Sequence, residues 1–421
     1  MRYIFFSLRN FEIDAGENVR IYGLLNSFAL AGNEVVFISN AKRYEMFSHS
    51  IKHVFIGYEF RKKRVFQGLL ALLQYRFAYY RFNKLFRKIK AALLTVEIRN
   101  EPIIFFDYLD NSIGYVLKRK GIIAKYVNDI HGIATIEFLN HIKNSKSIKR
   151  KLVNKLKYYL AYKLDKKVFR FADYLIYGSE NMKMYYEKLY NLKSKKYFII
   201  PYLLDENVIN RKIDIELKNR LEYEFKITPE SFVVLFVGSY KPLAGIDDLI
   251  KAFELLHAEY KDCKLLLIGN GPYKNDCVKL ANKLKSKTNI NFVEHIPYSQ
   301  LVTYQSLANV IVCPDKNNLF SHYVIHVKYF DALVSGKIVI IGAFDSVLEI
   351  NKNNFLSLTF EPSDVNDLYR KLKLCKEKFG ELTEIYQTSS DYVAKHFTYG
   401  PYLKKNRYMA GVYEGDEMII K

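Results

Sequence analysis

The sequence predicts an α/β chain made of two parallel, doubly wound sheets. Three observations carry that expectation. Short apolar runs alternate with amphipathic stretches through the first half, the same alternation restarts after a polar stretch around 200–230, and glycines stand where runs hand over to helical patterns. Alternating strand and helix is the mark of βαβ units, whose parallel strands need a crossover. A chain of 421 residues is long enough for two such domains with cores of their own.

The elements follow in order. RYIFFSL, EVVFIS, PIIFFDYL, AKYVNDI, DYLIYGS and KYFIIP read as strands of an N-terminal domain over 1–205, and VRIYGLLNSFALAG reads as a helix ending at Gly32. Residues 206–230 read as a linker. FVVLFVGS, KLLLIGNG, NINFVEH, NVIVCP, KIVIIGA and FLSLTF read as the strands of a C-terminal domain over 231–395, with DDLIKAFELLHAEY as a helix between them. Residues 396–421 are expected to form a helical segment packing back toward the first domain. Two domains of this class leave a central cleft, and ligands bind at the carboxyl ends of the strands.

Composition narrows the function. Half the chain is hydrophobic, which excludes general disorder. The absence of tryptophan beside 35 tyrosines and 30 phenylalanines reads as base composition. Cys263, Cys277, Cys313 and Cys375 form no CxxC or Cys/His cluster, so buried thiols in a reducing compartment are expected, with no metal site. MRYIFFSLRNFEID is too soon charged for a signal peptide, and no apolar run approaches the roughly 20 residues of a spanning helix. A cytoplasmic protein, peripheral on the inner face of the cell membrane, is the expectation.

The net charge of +21 is unevenly placed. Segment 58–90 sets Arg61, Lys62, Lys63, Arg64, Arg76, Arg81, Lys84, Arg87, Lys88 and Lys90 against Glu59 alone, and segment 143–170 sets eleven Lys or Arg against Asp165. Together they supply nearly the whole excess. FQGLLALLQYRFAYYRFNKLFRKIK mixes apolar, aromatic and basic residues, so residues 61–64, 76, 81, 84, 87 and 88 read as a surface for an anionic membrane and its acceptor. Solvated helix faces are the plainer reading. Nucleic acid is not expected, since no binding module accompanies the charge.

Five loops could carry chemistry. Asp14-Ala15-Gly16-Glu17-Asn18 leads into the first helix, where a glycine and a helix N-terminus suit an anion, although most such turns are only turns. Asp129-Ile130-His131-Gly132 places a histidine at a strand tip, where a structural histidine is the alternative. Gly238-Ser239-Tyr240-Lys241 and Gly269-Asn270-Gly271-Pro272 end two strands of the second domain. The fifth is IHVKYFDALVSGKIVI, residues 325–340. It reads as a helix stopped by Gly336 and followed by a buried strand, with Lys328 and Asp331 three apart on one helix face. A cation and a carboxylate at one sheet edge suit a ligand that is part phosphate and part sugar.

In this order the motifs resemble those of the GT-B glycosyltransferases, specifically glycosyltransferase family 4, the group 1 transferases. GENVRIYGLLNSFALAGNEVVFIS, DIHG, ADYLIYGSENM, FIIPYLLD, VGSYKPLAGIDDLIKAF, LLLIGNGP, HIPYSQL, ANVIVCP, KYFDALVSGKIVI and VLEI fall in family order almost end to end. The resemblance implies two Rossmann-like domains facing a cleft. It also implies transfer of a hexose from a nucleoside diphosphate sugar to a glycan or lipid-linked acceptor, with retention and without a metal or other cofactor. Polysaccharide or glycoconjugate biosynthesis is the setting it implies.

By position, the resemblance places Asp331 on the ribose hydroxyls and the start of the helix, Ile325, His326 and Val327, on the diphosphate. Gly16 closes over that diphosphate from the other domain, and His131 lies beside the transferring sugar. Gly238, Ser239 and Lys241 join the donor site, and Gly269, Gly271, His295 and Ile296 accommodate the base. The chain also departs from the family. Ser239 and Ala244 stand where arginine and lysine are usual, Tyr323 replaces the first acidic residue, and Asp331 is a methylene shorter than the usual glutamate. Lys328 or Lys241 is expected to restore the lost cation. These departures also admit a second reading, a catalytically silent partner subunit. A phosphorylase or an epimerase of the same fold is a third, and the sequence offers no pyridoxal site for the former.

Overall fold

A computed structural model of the protein describes residues 2–9, 11, 16–41, 47–58, 79, 80, 82–98, 100–130, 132–145, 147–192 and 195–400. The chain divides into two compact units, Met1–Leu203 with Tyr399–Lys421, and Leu204–Thr398. Each is a parallel sheet wrapped by helices.

In the first unit the strands are β1 Arg2–Ser7, β2 Glu34–Ser39, β3 Ile51–Phe55, β4 Ile103–Phe106, β5 Tyr126–Ile130, β6 Tyr174–Tyr177 and β7 Lys196–Ile199. Their order across the sheet is β3-β2-β1-β4-β5-β6-β7, and every pairing is parallel. Helix α1, Gly16–Leu30, places Ile21, Leu24, Leu25 and Phe28 on one stripe against Phe5 and Phe37 of β1 and β2. Strand β3 is an addition to the expected set. It lies at the sheet edge with Lys52 and Phe55 exposed, so IKHVF lacks the continuous apolar run of a buried parallel strand.

The other helices of this unit include α2 Asn83–Thr95, α3 Asp107–Arg119, α4 Ala134–Asn144, α5 Ile148–Phe171 and α6 Glu180–Tyr190. Ser147 opens α5 as a side-chain cap on the Arg150 amide. The buried residues of α5 lie in its second half, Ala161, Leu164, Asp165, Val168 and Phe169.

One polar lock holds the centre of this unit. Arg20 of α1 and Asp129 of β5 are buried together, with Nε 2.8 Å from Oδ2 and Nη2 2.5 Å from Oδ1. Arg20 Nη1 also donates to the carbonyls of Ile200 and Pro201, at 2.8 and 3.2 Å. A bidentate guanidinium thus ties helix, central strand and the exit from the last strand together.

The second unit orders its strands β10-β9-β8-β11-β12-β13. They are β8 Phe232–Val237, β9 Cys263–Ile268, β10 Ile290–Val293, β11 Val310–Cys313, β12 Ile338–Gly342 and β13 Leu358–Phe360. Both sheets therefore run outward in both directions from their first strand, which puts a topological switch point between β8 and β11. Residues 206–230 contain helix α7, Ile215–Glu224, which Asp214 caps and which buries Leu217 and Leu221. It reads as polar because only that narrow stripe is covered. Of the expected returning segment 396–421, residues 401–421 lie outside the described residues.

Helix α8, Ile246–Glu259, starts from Gly245, whose φ is +69°. A Cβ at Gly245 would drive into the Pro314 carbonyl. This close approach brings the turn after β8 against the turn after β11, reinforced by Lys316 N–H donating to Leu243 O at 3.0 Å. Gly245→Ala combines a strained backbone with a clash. We expect it to destabilise the second unit by about 2–4 kcal/mol, read as a lower urea midpoint and lost amide protection in β8 and α8.

Candidate functional site

The carboxyl edge of the second sheet gathers most of the expected donor residues. After β8 come Gly238, half-buried, and Ser239 and Lys241, both exposed. The next strand end interlocks with them. Gly269 has φ +133° and passes so close to the Gly238 carbonyl that no side chain would fit. Tyr240 N–H donates to Asn270 O at 3.0 Å, and Tyr273 N–H donates back to Tyr240 O at 3.2 Å. The buried Tyr240 hydroxyl donates to Leu267 O at 3.0 Å. The loops holding Gly238 and Gly271 are thus one backbone-bonded wall. Lys274 closes its outer side, with Nζ 2.6 Å from Glu294 Oε1. His295 is exposed and Ile296 half-buried at the end of β10.

Beyond β11 the chain makes a short helix, Leu319–Tyr323, capped by Asn318, and then helix α9, Val327–Val334. His326 is the residue before α9, and Val324 and Ile325 are buried ahead of it. Burial pulls the His326 imidazole below its ordinary pKa, and its Nε2 lies 3.3 Å from Ser321 Oγ. The first turn of α9 has no side-chain cap; the Tyr329 amide turns back onto His326 O at 3.0 Å. The helix ends as expected: Ser335 caps it, and Gly336 follows with φ +65° and its N–H on Leu333 O.

Lys328 and Asp331 take different partners. Lys328 Nζ is 2.6 Å from Asp315 Oδ2, just past β11, and 5.5 Å from the centre of the Phe236 ring. It is neither a bare solvated lysine nor an unpaired cation. Asp331 accepts from the Tyr298 hydroxyl at 2.6 Å. Tyr298 is in turn held by Arg211, whose Nη1 donates to its carbonyl at 2.8 Å and whose guanidinium lies 4.2 Å from its ring centre. Burial pushes the Asp331 carboxyl up to about 6, and the Tyr298 bond and the Arg211 charge oppose that rise. Tyr298, Arg211 and Asp315 were not among the expected site residues. HIPYSQ marks the loop that carries Tyr298, but no spacing links it to a helix 33 residues on.

The departures can also be placed. Ala244 is buried in the core beside Ile246, and Tyr323 is half-buried at the end of its short helix. Lys316 supplies a cation to the neighbouring turn, with Nζ 2.7 Å from Asp247 Oδ2 and 3.4 Å from Asp248 Oδ2.

In the first unit Gly16 is the first residue of α1. His131 lies outside the described residues, but the strand before it is held by the Arg20–Asp129 pair, and Asn111 Nδ2 donates to Asp129 O at 3.1 Å. Of the expected membrane surface, Lys84, Arg87 and Lys88 are exposed on α2, and the Lys88 ammonium donates to Gly57 O. Arg61, Lys62, Lys63, Arg64, Arg76 and Arg81 lie outside the described residues.

Residues 219–386 match the family described as glycosyl transferases group 1. The chain is 25% identical over 176 residues to alpha-monoglucosyldiacylglycerol synthase of Acholeplasma laidlawii, which covers 41% of this chain and 43% of that protein. It is 23% identical over 205 residues to the capsular polysaccharide biosynthesis glycosyltransferase CapM of Staphylococcus aureus, covering 48% and 53%. These matches thus span about half the length of those relatives. In fold the likeness runs end to end. Sucrose-phosphate synthase from Thermosynechococcus elongatus superposes with a TM-score of 0.69 at 16% identity, over 99% of this chain and 100% of that one. HepE of Anabaena in complex with UDP superposes at 0.67 and 12% identity, over 99% and 100%. The expected fold, GT-B with two Rossmann-like parallel sheets, is the fold of this protein.

Proposed function

We propose, from a GT-B chain whose residues 219–386 match the group 1 glycosyl transferases, that this protein moves a sugar from a nucleoside diphosphate sugar to a glycan or lipid-linked acceptor. The transfer retains anomeric configuration and needs no metal, and it serves surface polysaccharide or glycoconjugate biosynthesis. The observation that carries this reading is the second unit's carboxyl edge. There the glycine wall, the uncapped start of α9, Lys328 and the Asp331 carboxylate lie along the loops that flank one switch point.

Each residue then has a chemical task. Asp331 accepts hydroxyls of the ribose, exchanging its bond from Tyr298 for bonds from the ligand. The amides at the start of α9, at His326 and Val327, donate to the diphosphate, which a helix N-terminus favours. Lys328 and Lys241 stabilise negative charge as the diphosphate departs. Gly238, Ser239, Gly269 and Gly271 let backbone approach the nucleotide, with Ile296 beside the base. In the first unit, Gly16 approaches the diphosphate and His131 serves the transferring sugar. HepE in its complex with UDP is a structural relative that binds such a nucleotide, which supports the donor class.

The pairing of Lys328 with Asp315 favours a second reading, a catalytically silent partner subunit, because the cation is already answered. Thermal shift and slow donor hydrolysis across UDP, GDP, ADP and dTDP sugars separate the two. Turnover with a membrane extract as acceptor supports the transferase. Donor binding without turnover supports the silent subunit, and no binding to any donor rejects the transferase. For the transferase, Lys328→Ala is expected to weaken donor binding about tenfold, as loss of a charge-assisted contact should. Unchanged affinity and rate in that variant would remove Lys328 from the site.

A further inference from the structure

The first half of α5 is exposed in a way that the fold of its unit does not use. Ile148, Leu152, Leu156 and Tyr159 are 78%, 61%, 59% and 51% exposed, and Val153 is exposed beside them. Their spacing of four, four and three residues puts them on one stripe of the helix. The face turned the other way is the anchored one. Tyr158 stacks on Tyr162, which packs on Tyr190 of α6, and the Tyr162 hydroxyl donates to Leu189 O at 3.4 Å. The apolar stripe is therefore not core.

Charge says what covers it. From 138 to 164 the chain has no Asp or Glu and eight Lys or Arg. Lys151 and Lys155 border the stripe on one side, and Lys149 and Lys163 on the other, all four exposed. A second copy of this chain would bring like charge against like charge. A nucleic acid would leave the leucines unsatisfied. An apolar stripe edged by cations matches a layer of anionic headgroups over acyl chains. No helix among the described residues is long and apolar enough to cross a membrane, so the contact would be at the surface.

We propose that the outer half of α5, residues 148–159, is a docking element for an anionic lipid bilayer, distinct from the basic segment 58–90. The apolar stripe enters the interface and the flanking cations meet the headgroups. Lysines 149 and 163 carry their stems across the stripe and their ammonium groups out to the same layer; Lys163 Nζ already lies 4.3 Å from the Tyr159 ring centre.

The test is co-sedimentation of the full chain with vesicles of phosphatidylcholine alone or mixed with phosphatidylglycerol. The wild type is expected to sediment with the mixed vesicles and to remain in the supernatant with the neutral ones. Leu152→Ser with Leu156→Ser, and Lys151→Glu with Lys155→Glu, are each expected to weaken that binding about tenfold or more. Both pairs are exposed, so the melting temperature should stay at the wild-type value. Lys283→Glu with Lys287→Glu, the same charge change at two exposed residues of the second unit, serves as the control and should retain binding. Unaltered binding in both α5 variants overturns the proposal, as does loss in the control alone or equal wild-type binding to both vesicles. Self-association that the α5 variants abolish, without vesicle binding, would assign the face to a second copy instead. No arm needs a sugar nucleotide, so this result is independent of the donor panel.

Discussion

Arg20→Met is expected to destabilise the N-terminal unit by about 3–5 kcal/mol, the usual loss when one partner of a buried ion pair is removed. Arg20 and Asp129 are 1% and 0% exposed at their side chains, so the carboxylate that remains cannot recover its hydration. The variant also releases the carbonyls of Ile200 and Pro201, which Arg20 now satisfies. Amide exchange should report the loss locally: residues 126–130 and α1 lose protection, while β8, β9 and β11 keep theirs. The double variant Arg20→Met with Asp129→Leu separates charge from packing. Without the stranded carboxylate it should recover most of the stability. If the double variant is as unstable as the sum of its singles, the pair acts through shape rather than charge, and this account fails.

This pair shows where the sequence stops being legible. The strands of the second sheet are readable because they are buried on both faces, as in FVVLFV and IVIIG, and such runs admit few other readings. β3 is half-exposed at an edge, so its lysine and histidine hide it. Helix α5 reads as a charge run because its outer half faces away from the core. In the candidate site, the glycines and the helix that ends at Gly336 are legible because backbone geometry selects those residue types locally. Partners that meet only on folding are not. Arg20 and Asp129 are 109 residues apart, Tyr298 and Asp331 are 33 apart, and no periodicity in one sequence joins them. The same limit explains Lys328. Its place on α9 is local and predictable, whereas its pairing with Asp315 depends on where β11 ends against that helix.

At Asp331, stability and donor binding are expected to move in opposite directions. Its carboxyl titrates at about 6 in the folded protein, against an ordinary value of 3.8, because burial disfavours the charge. A raised carboxyl pKa means that the folded state holds the proton more tightly than the unfolded chain. The stabilisation from the neutral acid is fully present below the ordinary value and is lost as pH rises through about 6. At pH 8 the folded protein therefore carries an ionised, half-buried carboxylate at a net cost. A rise of that size corresponds to at most about 3 kcal/mol, and partial exposure reduces this to roughly 1–2 kcal/mol. Asp331→Asn keeps the shape and an acceptor for Tyr298 without the charge. It should be more stable than the wild type at pH 8 and indistinguishable near pH 4. Donor binding should respond the other way. A carboxylate can accept two ribose hydroxyls, whereas an amide offers one acceptor oxygen and a mismatched donor, so the variant should bind its sugar nucleotide about 10- to 100-fold more weakly at pH 8. Wild-type affinity should itself fall as pH drops below about 6, while the variant's should stay flat over the same range. Urea midpoints and calorimetric donor titrations across pH 5 to 8 measure both. A variant that gains stability at pH 8 yet binds donor like the wild type would show that Asp331 is strained for a reason other than the donor. A variant that loses stability at pH 8 would show that the Tyr298 bond outweighs burial.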